Sequence, residues 1–438
     1  MKIVRHTDAN FSRKLREVTA PSSLFDPVIE QRTRAIIDAV QMRGDDALLE
    51  FTEKFDGARL TANQLAVTQA ELMVASLKAD ESLRAAVAEA EKNIASFARK
   101  SLLRNWECRN SHGARVGEKF DPFQRVGAYI PGGKAPLVST VLMTVTLAKV
   151  AGCREIVVCT PCGRDGSINP ALLFAARAAG ATEIYRLGGA QAIAAMAYGT
   201  KTIRRVQKIF GPGNAYVVTA KRLLVGHVAI DLLPGPSELL VLADETADPK
   251  FAAADLLAQA EHGSGHERVW LVTTSAKVLK AIQGEIAKQL GSREAELPKL
   301  ARHEYIQRVL ADNTWLIQVK SLDDAVALAN RLAPEHCEVM TRNPRQVSGG
   351  ILTAGAIFLG PWSPTVLGDY VAGPSHTLPT GGAGASFAGL TVDQFQRRTS
   401  LVEYNRASLK KALPAVKKFA ELEGLGAHGR SAEIRSAK

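Results

Sequence analysis

Four of the nine histidines stand beside another side chain able to do chemistry. Gln259 and His262 are three residues apart in AADLLAQAEHGSGH, near the end of a segment with helical periodicity, so both side chains leave one face. An amide oxygen and an imidazole so placed can serve one divalent metal ion. The same spacing also describes a helix-terminal histidine stabilised by the helix dipole, and these residues alone leave both readings open. His266 would extend the set, but Gly263 and Gly265 break the helix it would need. In Ala333-Pro-Glu-His336 a carboxylate and an imidazole follow a helical pattern and precede a strand. Glu335 can activate water, His336 can accept a proton near neutral pH, and open α/β sheets collect their active sites at strand edges. Asp369 and His376 share the segment LGDYVAGPSHTLPT, and Glu423 and His428 flank a glycine break in EGLGAH.

Glycine turns suited to phosphates follow three strand-like runs, at Pro131-Gly-Gly133, Gly188-Gly-Ala-Gln191 and Gly211-Pro-Gly213-Asn. None completes the G-x-G-x-x-G fingerprint, so a nucleotide here would lie across the strand ends without it. The five cysteines include Cys159-Thr-Pro-Cys162, but no second pair completes a zinc site, and the odd count fits reduced thiols in a cytoplasmic protein.

The elements that must position these groups fall into blocks. Apolar residues recur at helical spacing over 26–100. From residue 125 short β-rich runs alternate with helical segments: VGAYI, EIVVCT, EIYRL, VQKIF and HVAID, then ELLVLAD, RVWLVTT, WLIQV and GAIFLG. Such alternation predicts parallel sheets with crossover helices. The glycine- and proline-rich stretch 373–389 is too long to be merely connective. The last 45 or so residues read as a helical tail too short for a core of its own.

Strings far longer than any packing pattern dictates tie these segments together. YIPGGKAPLVSTVLM, GGAQAIAAMAYGT, FGPGNAYV, GPSELLVLADET, DLLAQAEH, NRLAPEHCE, LGDYVAGPSHTLPTGG and EGLGAH stand in the order seen in histidinol dehydrogenases, which the chain resembles from about residue 25 to about residue 430. The resemblance implies two incomplete Rossmann-like parallel-sheet domains with helical N-terminal and C-terminal extensions. Its expected division is an extension over 1–25, a helical part 26–128 packing with 239–381, an NAD-binding domain over 129–238, and a tail 382–438 reaching a partner subunit.

The implied activity is oxidation of L-histidinol through L-histidinal to L-histidine by a homodimer with one zinc ion per subunit and NAD. By motif match Gln259, His262 and Asp369 resemble zinc ligands of one chain and His428 the ligand from its partner. Glu335 and His336 take the acid/base positions, and Tyr129, Gln191 and Asn214 the NAD-contacting ones. Ser237, His376 and Glu423 match substrate contacts, together with Gln259, His262, His336, Asp369 and His428. The residue types suit this chemistry, because two imidazoles, an amide and one carboxylate leave a divalent ion net positive and able to hold the nitrogens of the substrate.

Three departures from the family pattern stand out: Ser375 before His376, Gly-Ser-Gly-His after His262, and Cys337 beside the Glu-His pair. In a strand the thiol of Cys337 should face away from His336. Other readings of the same residues are a dehydrogenase of this fold acting on another small polar alcohol, and a metal-dependent hydrolase with Glu335 as general base. The formal charge of +11 raises nucleic acid as a partner. About half of that excess lies in 397–438, where ten Lys or Arg stand against four Asp or Glu with no nucleic-acid-binding motif, so a solvated helix face is expected instead. No run reaches the roughly 20 apolar residues of a membrane helix, and no membrane partner is expected.

Overall fold

Strands form where β-branched and apolar residues run uninterrupted, as parallel strands buried on both faces require. The computed structural model describes residues 1–20, 26–132, 136–291 and 300–436. β1 (Lys2–Arg5) precedes a long helical stretch, and β2 (Trp106–Arg109) and β3 (Arg115–Pro122) form an antiparallel pair. β4 (Arg125–Tyr129), β5 (Glu155–Thr160), β6 (Glu183–Arg186), β7 (Lys208–Phe210) and β8 (Ala229–Ile230) then alternate with helices. The pattern repeats through β9 (Glu238–Ala243), β10 (Arg268–Thr273), β11 (Thr314–Gln318), β12 (His336–Met340) and β13 (Ala356–Leu359), and β14 (Gln396–Glu403) follows.

Two parallel sheets result, in the orders β6-β5-β4-β7-β8 and β1-β11-β10-β9-β12-β13. Strand order reverses at β4 in the first and at β9 in the second, and doubly wound folds open a crevice at such switch points. At the amino ends of β4, β5 and β6 the buried guanidinium of Arg125 grips Glu183 at 2.5 and 2.8 Å and Glu155 at 2.8 Å.

The N-terminal helices pack on the first sheet, which corrects the expectation that 26–128 would join 239–381. Ile36, Val40, Leu48 and Phe51 share a core with Val157, Ile193 and Ile209 on one face. Leu72, Val87 and Ile94 join Val126, Leu142 and Ile156 on the other. A five-stranded parallel sheet must be covered on both sides, and its own crossover helices do not suffice. The N-terminal extension is also more than that, since β1 pairs in parallel with β11 at the edge of the second sheet.

The C-terminal segment is corrected in two respects. Leu390, Val392 and Phe395 belong to the first core, with Phe395 stacked on Phe210 at 3.8 Å between ring centroids. β14 is a strand, paired antiparallel with β3 from Gln396–Pro122 to Glu403–Arg115. Beyond it the helices Arg406–Leu422 and Gly426–Glu433 pack on one another, leaving Phe419, Leu422 and Ile434 exposed. No helix among the described residues is long and apolar enough to cross a membrane.

Candidate active site

Because β9 and β12 are neighbours in parallel register, Ser237 and Glu335, which immediately precede them, meet at the amino ends of the strands. Ser237 Oγ donates to Glu335 Oε2 at 2.5 Å, and the Glu238 backbone N–H donates to the same oxygen at 2.8 Å. Nδ1 of His336 lies 3.0 Å from the Glu238 carbonyl oxygen. A carbonyl only accepts, so Nδ1 carries the proton and Nε2 offers its lone pair. That Nε2 is 4.0 Å from Asp369 Oδ1. His376 folds back over the same carboxylate, its Nδ1 donating to the Asp369 carbonyl oxygen at 3.0 Å and its Nε2 lying 3.2 Å from Thr140 Oγ1. Thr140 sits in the helix Val138–Ala151 that follows β4, so this contact brings the two α/β units together at the cluster.

The edge differs from the one sequence patterns suggest. Open α/β sheets place ligands beyond the carboxyl ends of their strands, whereas this cluster occupies the amino ends of β9 and β12. The helix Pro249–Ala260 runs back from the carboxyl end of β9 and so delivers Gln259 and His262 to that edge. Loop 373–389 closes over it, with Thr380 Oγ1 accepting from the Gly235 N–H at 2.5 Å. Entry of the Glu-His pair requires a left-handed residue at Ala333, φ +45°, where the helix Leu322–Leu332 ends. A non-glycine residue there costs about 1–2 kcal/mol, a strain located two residues from Glu335.

Burial sets the electrostatics. Glu335 is 6 % and His336 3 % exposed. Loss of water raises the Glu335 carboxyl to about 7 despite its two hydrogen-bond donors. It holds the imidazoles of His336 and His376 below their ordinary value, against the pull of Asp369. At neutral pH both rings are therefore neutral, as proton acceptance requires.

Gln259 is buried and its Nε2 has no partner. His262 is exposed, yet its ring is near enough to act electrostatically on Glu335 and His376. A polar brace lies beneath these residues. Glu338 accepts from the Thr365 N–H at 2.6 Å and from its hydroxyl, at the start of the helix Thr365–Tyr370 that carries Asp369. Asp255, one turn before Gln259, lies close enough to Glu338 for the two carboxyls to act on each other. Burial raises both carboxyls, and the charge of Asp255 raises Glu338 further. Among the described residues no three His, Cys, Asp or Glu side chains converge on a metal position. Glu423 and His428 are exposed on the tail helices, and the structure does not bring them to the cluster of their own chain.

The remaining predicted residues line a cavity of about 1200 Å³ across the carboxyl ends of the first sheet. Tyr129 ends β4 and accepts from the Gly189 N–H at 3.0 Å, with its hydroxyl raised to about 12 by burial. Gln191 is buried with neither amide atom partnered. Asn214 caps the helix Ala215–Leu223, accepting from the N–H groups of Tyr216 and Val217. Gly211, at φ +108°, permits the preceding turn, because a Cβ there would lie 2.1 Å from the Tyr129 carbonyl oxygen. The turn at Pro131-Gly-Gly133 runs into residues outside those described.

Comparison with known proteins settles the relationship. The profile of the family described as histidinol dehydrogenase matches residues 22–436. The chain belongs to the histidinol dehydrogenase family. It is 43 % identical to the histidinol dehydrogenase of Heliobacterium mobile, over 97 % of this chain and 100 % of that protein. It is 46 % identical to that of a Synechococcus strain, over 93 % and 92 % of the two chains. A crystal structure of histidinol dehydrogenase from Elizabethkingia anophelis superposes with a TM-score of 0.93 at 34 % identity, covering 99 % of this chain and 98 % of that one. As a member of the histidinol dehydrogenases, the chain is an oxidoreductase of histidine biosynthesis, and the hydrolase and nucleic-acid readings fall away.

The departures from the family pattern have local explanations. Ser375 is buried and its Oγ accepts from the Thr377 N–H at 3.3 Å, engaged by its own loop. The Gly-Ser-Gly-His turn is pinned by Glu267, which accepts from the N–H groups of Ser264 at 2.7 Å and Gly265 at 2.9 Å. Cys337 points into the core with Leu240, Trp270 and Val339, and burial pushes its thiol up to about 12. Cys337→Ala should therefore cost about 1–2 kcal/mol of stability and leave turnover within about twofold. Lost turnover with an unchanged urea midpoint would instead place the thiol in the chemistry. Sequence reading missed Thr140 and the Glu238 carbonyl; both lie within recognised strings, but their contacts exist only through space.

Proposed function

We propose that the chain oxidises L-histidinol, the activity its family is named for, through L-histidinal to L-histidine with two molecules of NAD, as a cytoplasmic homodimer holding one zinc ion per site. The observation that carries this reading is the cluster in which half-buried Ser237, Asp369 and His376 surround the buried Glu335 and His336. The free state of all five cysteines suits a reducing compartment.

Both absent groups fit the residues present. For zinc, the amide oxygen of Gln259 with the imidazole of His262 and the carboxylate of Asp369 form three-quarters of a nitrogen and oxygen set, and the buried Gln259 amide, whose Nε2 has no partner, is free to turn its oxygen to the ion. His428 of a second copy completes it, since its own chain leaves it exposed. For NAD, the buried and unpartnered Gln191 faces a dinucleotide-sized cavity also lined by Tyr129 and Asn214. When bound, zinc supplies positive charge that holds the substrate nitrogens, and NAD supplies the hydride acceptor.

The chain's own groups move the protons. Nε2 of His336, with Nδ1–H fixed on the Glu238 carbonyl, accepts the hydroxyl proton of histidinol as hydride departs. Glu335, held by Ser237 and the Glu238 N–H, takes a proton from the water that adds to the aldehyde, and the hydrate then loses the second hydride. Ser237, His376 and Glu423 of the second copy contact the substrate. A dry site, closed by loop 373–389 and the partner's tail, retains the reactive aldehyde between steps.

A direct test follows NADH formation with L-histidinol through chelation and metal return. Activity should vanish in metal-stripped protein and return on adding zinc. Full turnover by rigorously metal-free enzyme would overturn the zinc assignment.

A further inference from the structure

The cavity of the first sheet contains a carboxylate that none of the predicted roles uses. Asp56, at the end of the helix Asp45–Asp56, lines it with Pro161, Cys162 and Gly189. Its Oδ2 is buried and has no hydrogen-bond partner. A Cβ placed on Gly188 would lie 3.4 Å from that oxygen and 2.7 Å from Pro161 Cβ. Asp56 therefore sits against the turns that follow β5 and β6.

Dinucleotide folds meet the ribose of the adenosine half with a carboxylate near the end of the strand beside the switch strand. Here that strand is β5, and it runs into Thr160-Pro161-Cys162-Gly163, with no carboxylate among them. Asp56 reaches the same place from the N-terminal helices packed on the sheet. The contact of His376 with Thr140 marks the end of β4 as the side where the chemistry occurs. The β5–β6 side is then the distal half of the cavity, where the adenosine of a dinucleotide spanning it would lie.

We infer that Asp56 is the residue that reads the cofactor's adenosine ribose, accepting hydrogen bonds from its 2′ and 3′ hydroxyls and excluding a 2′-phosphate. The inference rests on the proposal that NAD occupies this cavity. Burial without a partner, which raises the Asp56 carboxyl to about 6, is the state that two hydroxyl donors would relieve. A phosphate at the 2′ position would instead place like charges together.

Binding of NAD, NADP and the NAD analogue with a 2′-deoxyadenosine, measured by calorimetry on the full dimer, tests this without turnover. Wild-type protein should prefer NAD to either analogue. Asp56→Asn, an isosteric change at a partly exposed position, should weaken NAD about tenfold, the scale of a lost hydrogen bond to a charged group. It should also bind the 2′-deoxy analogue nearly as well as NAD and narrow the gap to NADP. Unchanged NAD binding overturns the inference. So does an equal loss for NAD and its 2′-deoxy analogue, which would make Asp56 a wall of the cavity rather than a reader of the ribose. If wild-type protein fails to bind NAD, or Gln191→Ala leaves its binding intact, the placement of the cofactor fails first.

Discussion

His336→Ala and His428→Ala homodimers should each be nearly inactive, and unfolding the two together and letting them reassociate should restore about a quarter of wild-type sites. Loss of a general base costs about 10²–10⁴ in rate, so the recovered signal stands far above its background. The expectation rests on the proposal that His428 of a second copy completes the site. His336 is 3 % exposed at the amino end of β12, while His428 is exposed on a tail helix that packs on the neighbouring tail helix. Random reassociation makes half the dimers mixed. In a mixed dimer with shared sites, one site carries both substitutions and the other neither. If both residues served a site within one chain, every site would lack one of them. A mixture that stays inactive although mixed dimers have formed would exclude sharing.

Glu335→Gln should separate the two oxidations. Water enters only in the second, so histidinal oxidation should fall by about 10² or more and histidinol oxidation far less. Glutamine keeps the hydrogen bond from Ser237 Oγ but lacks the basic oxygen that water requires. The pH dependence carries the same signature. Burial holds the Glu335 carboxyl at about 7, and only its ionised form accepts a proton. Wild-type histidinal oxidation should therefore rise as pH passes upward through neutrality, and the variant should lose that rise. Equal losses in both half-reactions would assign Glu335 a shared or structural role.

Much of this architecture is legible in the residues themselves. β4, β5 and β9 read as strands because parallel strands buried on both faces are continuous apolar runs. β1 does not, because KIVR is four residues with a charge at each end. β2 and β14 are largely exposed, β3 is mostly half-buried, and all three are rich in charge, so neither alternation nor apolar content marks them. The helices over 26–100 announce an apolar face through periodicity, but periodicity names no partner, hence their misassignment to the wrong sheet. At the site, the motif strings supply the residues. They do not supply the amino-edge placement, which depends on Pro249–Ala260 running back along β9. Nor do they single out Asp56, whose meaning lies in an oxygen with no neighbour.

The pairing of β1 with β11, Lys2 opposite Trp315, bears on how the molecule comes into being. A ribosome adds about 5–20 residues per second, so β1 waits roughly fifteen seconds to a minute before the strand it must join has been made. Throughout that interval it is an unpaired edge, the kind of segment that recruits foreign strands. Its brevity and the flanking charges of Lys2 and Arg5 are the means by which natural edges avoid such encounters. The second sheet is thus completed late in synthesis, by the piece of it that was made first.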